Sequence, residues 1–196
     1  MRSKTTLTVT VLGGVAALAL AGCTPNTTGG TATTANSATT TSSAPAIANP
    51  LDTTKLQQNL CGGLTPQQLA PYLGTVRKTN TDNEAKYTSC QLLPADNSLA
   101  TIAISIFPNF TVSDMLATAS SYPYSKNLAP VQGYPAQSTS QGNPPKGECA
   151  TSVAVADHVV VSIEAQVSSG NQYYDNTCAA SELLAPVLVG NLKASG

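Results

Sequence analysis

The residues best able to do chemistry in this chain are four cysteines, one histidine and a handful of carboxylates. Cys61, Cys90, Cys149 and Cys178 fall into two pairs, each separated by 29 residues. Four thiols serve a metal ion, a redox couple or disulfides. Zinc sites and thiol oxidoreductases usually carry C-x-x-C or H-x-x-x-H spacings, and neither occurs here, so no metal and no cofactor are expected. Disulfides remain, with three possible connectivities. Cys61 with Cys90 and Cys149 with Cys178 is the favoured pairing, because each pair flanks one helix-plus-strand unit. In the chain-entropy picture each closure contributes roughly 3 to 4 kcal/mol. His158 is the only histidine and stands beside Asp157. A base oriented by a carboxylate has this composition, but a polar pair on a surface turn has it too, and no G-x-S-x-G elbow supplies a nucleophile. Glu148, Asp157, Glu164 and Asp175 could pair for sugar hydrolysis. A cleaving cleft would ordinarily stack sugars on aromatics, and the chain has no Trp. The expectation is a protein that is not an enzyme.

Tyrosines are the stronger lead. Tyr122, Tyr124 and Tyr134 lie near Pro123 and Pro135, and Tyr173 and Tyr174 precede Cys178, which places five of nine aromatic residues in two loops. Amphipathic rings on stiffened loops bring large contact area at small entropy cost, so these five form the candidate contact surface.

The elements that must position these groups begin with a targeting segment at residues 1–22. Arg2 and Lys4 precede an apolar run, Val9 to Leu20, too short to span a bilayer comfortably. It ends in Leu20-Ala21-Gly22-Cys23, which resembles the lipobox of bacterial lipoproteins. That resemblance implies diacylglyceration of the Cys23 thiol, cleavage before it, and a palmitate-bearing anchor on the extracytoplasmic side of the cell membrane. Residues 23–49 carry no charge and only one bulky aliphatic residue, Ile47, among Thr, Ser, Ala, Gly, Asn and Pro. Such a segment buries too little apolar surface to offset its ordering entropy, so it reads as a disordered tether with a reach of about 28 Å. Glycosylation of Thr39 to Ser43 is the alternative to a bare linker.

Residues 50–196 suffice for a single domain with its own core. Thr65-Pro66-Gln67-Gln68 combines an N-cap, a proline at the first helical position and a capping-box Gln, with Gly74 as the stop. Pro71 inside that span predicts a short or kinked helix. Lys86 to Leu93 and Leu99 to Phe107 read as strands, the second by strict alternation of Ala100, Ile102, Ile104 and Ile106. Thr111 to Asp114 starts a capped helix containing Met115, Leu116 and Ala119. Leu128 to Ser138 is mixed, and Gln141 to Gly147 is a loop. Glu148 to Ala156 and His158 to Gln166 form a hairpin, and Thr177 to Lys193 has helical spacing interrupted by Pro186. The fold expected is α+β, an antiparallel sheet with helices packed on one face or end.

The order Asn49-Pro50-Leu51-Asp52, Leu60-Cys61-Gly62-Gly63-Leu64-Thr65, Cys90, Gly133-Tyr134-Pro135-Ala136, Cys149 and Asp175-Asn176-Thr177-Cys178-Ala179-Ala180 is similar to the actinobacterial lipoprotein family catalogued as domain of unknown function 3558. Leu60 and Gln91 depart from that family's frequent proline before the first domain cysteine and aromatic residue after the second. The resemblance implies a disulfide-bonded envelope lipoprotein and supplies no catalytic residues. The layout also resembles small α+β domains of the PsbP and Mog1 type, an analogy at fold level only.

Charge narrows the partners. Only 10% of residues are charged and the formal net charge is −1, well under the usual quarter. The nine Lys and Arg are scattered, so no basic stripe exists for nucleic acid. Two functions are expected. The first is a non-enzymatic docking module for a protein or wall component. The second is a carrier of a small apolar or lipid ligand, favoured by the membrane address and the uncharged strands. An enlarged apolar cavity would mark the carrier, and a filled core with exposed tyrosines the docking module.

Overall fold

The computed structural model describes residues 46–196. Seven strands form one antiparallel sheet, β1 (Val76–Asn83), β2 (Thr88–Pro94), β3 (Thr101–Pro108), β4 (Tyr124–Asn127), β5 (Ala136–Ser140), β6 (Glu148–Ala156) and β7 (Val159–Gln166), in the spatial order β1-β2-β3-β7-β6-β5-β4. Four helices accompany it: α1 (Thr54–Gln58), α2 (Pro66–Leu73), α3 (Val112–Ala119) and α4 (Cys178–Ser195). The α+β antiparallel architecture is the one expected, and both disulfides join the favoured partners.

Local sequence explains the helix starts. Thr65 accepts from the Gln68 amide while the Gln68 side chain accepts from the Thr65 amide, a closed capping box. Thr111 and Asp114 repeat the device at α3. Pro71 falls in the last turns of α2, which runs only eight residues. In α4 the expected break at Pro186 does not occur, and the helix is continuous for 18 residues. Proline removes the amide that would bond the Glu182 carbonyl. Leu184, Ala185, Leu188, Val189 and Leu192 nevertheless bury one face of the helix against the sheet, and that packing outweighs one lost bond.

The main core lies on this helical face. Ile102, Ile104 and Ile106 of β3 meet Val161 and Ile163 of β7, Val153 and Val155 of β6, and Leu69 and Leu73 of α2. The Cys61–Cys90 bridge ties the short 3-10 turn Leu60–Gly62 to β2, and Cys149–Cys178 ties β6 to the first turn of α4. Toward β5 the same face turns polar. Ser138 Oγ and Thr151 Oγ1 are 3.1 Å apart, Thr151 Oγ1 and Ser181 Oγ 2.8 Å, and Ser138 Oγ donates to Glu182 Oε1 at 3.0 Å. Glu182 also faces Lys126 at 3.4 Å. The buried hydroxyls thus satisfy one another between sheet and helix.

Three details differ from the sequence reading. Strand β1 is nearly all exposed and polar, so it shows no alternation, yet it pairs along β2 as a sheet edge. Charged residues such as Arg77, Lys78 and Asp82 suit an edge, where they discourage further pairing. The mixed span 128–138 contains the start of β5, and β4 precedes it. Residues 46–49, expected as the end of the tether, lie against the domain. The Ile47 amide donates to Asp157 Oδ1 at 2.7 Å, and the Ile47 side chain packs on the apolar clusters of both sheet faces. The rest of residues 1–49, including the targeting segment and Cys23, lies outside the described residues.

Candidate functional site

The opposite face of the sheet is built differently. Strand register sets Ser89, Ser105, Ser162, Ser152 and Gln137 side by side across five strands, from β2 through β3, β7 and β6 to β5. The neighbouring row on that face runs Gln91, Ala103, Glu164, Ala150 and Thr139. Small and uncharged side chains dominate both rows. The part on β2 and β3 is half-exposed, whereas the alternate residues Cys90, Leu92, Ile102 and Ile104 on the other face are fully buried. Helix α3 covers only one portion of the surface. Its Val112 and Met115 pack with Ala154 and Val160, and Phe107 and Phe110 border that small cluster. Phe107 lies between Phe110 and Tyr87 with ring centroids 5.6 and 5.4 Å away.

Between α3 and the sheet lies a groove of about 170 Å³. Phe107, Phe110, Met115 and Tyr122 give it apolar walls, and Ser105, Thr139, Ser152 and Ser162 line the sheet side. Glu164 is its one charged side chain, with Oε1 accepting from Gln166 Nε2 at 2.6 Å. Gln137, 3% exposed, sits at the junction. Its Nε2 donates to the Met115 carbonyl at 2.5 Å, which settles the orientation of the amide, since a carbonyl can only accept. Its Oε1 is buried and has no hydrogen-bond partner among the described residues. Such an orphan acceptor costs about 1–3 kcal/mol unless a donor reaches it.

The tyrosines do not converge on this groove. Tyr122 lines it, but half-buried Tyr124 of β4 pairs across from Ser140 of β5. Tyr173 stacks on Tyr72 at 5.7 Å, and burial together with the Tyr173 hydroxyl raises the Tyr72 pKa. Tyr174 is half-buried and its carbonyl accepts from the Gly147 amide. Tyr134 departs from the expected contact surface altogether. It is 5% exposed, and its hydroxyl donates to the Asn49 carbonyl at 2.8 Å while Lys193 Nζ lies 5.2 Å from the ring centre. An apolar ring with a polar tip is thereby satisfied inside the molecule.

The possible acid and base groups are also apart. Asp157 accepts from Ile47, and exposed His158 offers its carbonyl to the Phe110 amide. Glu148 accepts from Ser140, and Asp175 pairs with Lys146 at 2.7 Å. Among the described residues no three His, Cys, Asp or Glu side chains are grouped to hold a metal ion, and no helix is long and apolar enough to cross a membrane. The groove residues Gln137, Ser105, Ser152 and Ser162 carry no motif. Their trace in the sequence is that the outward positions of β3, Thr101, Ala103, Ser105 and Phe107, lack charge where a wetted face would usually carry some.

Comparison with known proteins gives one result. No curated protein and no solved structure matches the chain. The sequence profile of a family described as "Protein of unknown function (DUF3558)" matches residues 18–191, which takes in all four disulfide cysteines and every strand, so the chain belongs to the DUF3558 family.

Proposed function

We propose that this protein is a cell-envelope lipoprotein, tethered to the membrane through lipid on Cys23, and that it acts as a non-enzymatic docking module. Its contact surface is the charge-poor sheet face beside α3, to which Tyr122 alone of the five tyrosines contributes. The observation that carries this reading is the half-exposed, charge-poor surface of Ser89, Gln91, Ala103 and Ser105, left uncovered while the other sheet face is sealed by α2, α4 and the 3-10 turn Leu60–Gly62. A surface with few charges costs little to desolvate and suits recognition of a wall component or protein. The groove volume of about 170 Å³ lies below the roughly 300–1,000 Å³ of sites that engulf drug-sized ligands. That groove is therefore too small by itself to enclose an acyl chain.

The test is retention of purified residues 46–196, which hold both apolar clusters and both disulfides, on envelope fragments from the cells that make the protein. Ala103→Arg places a bulky cation on the proposed face, and Leu183→Arg places one on the exposed side of α4, where Leu183 is 54% exposed. The expected result is retention of the unaltered chain and of Leu183→Arg, with loss of Ala103→Arg. Equal retention of all three, or of none, refutes the reading.

A further inference from the structure

We infer that the groove beneath α3 is a binding site for a neutral, hydroxyl-bearing ligand of saccharide type, one ring of which enters between α3 and the serine row. The inference deepens the docking reading and rests on it. Gln137 is its starting point. With one Nε2 hydrogen donated to the Met115 carbonyl, the orientation of the amide is fixed, and its Oε1 is a buried acceptor without a partner among the described residues. A native interior rarely tolerates such an atom unless a donor arrives from outside the chain. A ligand that brings an O–H or N–H group supplies the donor this acceptor lacks.

The walls specify the rest of it. Phe107, Phe110 and Tyr122 offer apolar surface on one side, and Ser152 and Ser162 offer hydroxyls, each able to donate and accept, on the other. A sugar ring matches this division, with C–H groups on its faces and hydroxyls around its edge. Glu164 decides the charge. Its Oε1 accepts from Gln166 and its Oε2 has no partner among the described residues, so it can receive a ligand hydroxyl. With no lining cation to balance it, the same carboxylate repels phosphates and carboxylates. This argues against fatty acids and anionic lipid headgroups. Beyond the groove, the open surface around Ala103 and Gln91 leaves room for the sugar units that follow in a chain.

The experiment is an NMR titration of isotope-labelled residues 46–196 with glucose, arabinose and N-acetylglucosamine, and with glucuronate and glucose 6-phosphate as charged counterparts. At least one neutral sugar is expected to shift the Gln137 side-chain amide and the Ser152 and Ser162 backbone amides with one common, millimolar Kd. The charged sugars should bind at least about tenfold more weakly, a difference of about 1.4 kcal/mol. Glu164→Gln should remove that discrimination. Gln137→Met, which keeps the side-chain length and deletes the acceptor, should weaken the neutral sugar about tenfold or more. If Gln137→Met does not fold, Glu164→Gln decides alone. The inference falls if no neutral sugar shifts these resonances, if charged and neutral sugars bind alike, or if a folded Gln137→Met binds as the unaltered chain does. Should the sugars fail while envelope retention still depends on Ala103, the docking reading stands and the saccharide is wrong; if both fail, both are wrong.

Discussion

Removing one disulfide at a time should cost this domain a large and calculable part of its stability. Both bridges span a sequence separation of 29. The chain-entropy relation then gives about 3.6 kcal/mol for each at 25 °C, against a total of roughly 5–15 kcal/mol for an ordinary domain. The paired variants are Cys61→Ala with Cys90→Ala, and Cys149→Ala with Cys178→Ala. Because the loops are equally long, the entropic losses should be equal, and any difference reports the local surroundings. Cys149 and Cys178 are 0% and 1% exposed, whereas Cys61 is half-exposed beside fully buried Cys90. The Cys149–Cys178 variant should therefore suffer more, since two buried sulfur atoms also leave space behind. Urea unfolding followed by circular dichroism measures the loss, with the slope m rising as the released unfolded chain expands. Thermal midpoints should fall by about 7–14 °C, taking 2–4 °C per kcal/mol for a chain of this size. A loss below about 1 kcal/mol for both variants would refute the reasoning. So would a greater loss on deleting Cys61–Cys90.

Single contacts lead to three more expected outcomes. Tyr134→Phe deletes the bond to the Asn49 carbonyl and should cost about 0.5–1.5 kcal/mol, with faster hydrogen exchange at the Ile47 amide; unchanged exchange would show that the Asp157 bond and packing hold residues 46–49 without it. At α3, hydrogen bonds from the Thr111 side chain and backbone hold the Asp114 carboxyl below its ordinary value, with a smaller contribution from His158. A carboxylate whose folded pKa is lowered contributes stability that is complete above its unfolded value and is lost as pH falls through the folded one. Acid should therefore loosen α3 below about pH 4, seen as faster exchange at the Met115 amide, and Asp114→Asn should abolish that pH dependence. Thr111→Ala should destabilise the domain by about 1 kcal/mol through loss of the cap, measurable by urea unfolding at neutral pH.

Much of the architecture was legible in residue order because its causes are local. The two capping boxes, the alternation from Ala100 to Ile106 and the turn at Asp157-His158 each lie within a few residues of chain, and all three appear where expected. The disulfide pairing was legible because equal spacing flanked matching units. Strand β1 was hidden because an exposed edge needs no apolar residues, and its place comes from pairing with β2. Helix α4 crosses Pro186 because a sheet lies beneath it to bury Leu184 and Leu188.

The candidate site was not legible. Ser105, Gln137, Ser152 and Ser162 are separated by up to 57 positions, and each alone is an unremarkable polar residue. Antiparallel register across β3, β7, β6 and β5 sets them in one row. Tyr134 shows the converse. Its neighbours in sequence suggested a surface loop, but the returning segment at Asn49 supplies an acceptor and closes the ring into the core. Residue order alone determines the strong local signals, namely caps, alternation and cysteine spacing. Which polar atoms are left buried without partners, and which faces stay open, depends on what the rest of the chain brings to them, because desolvation is a property of the packed whole.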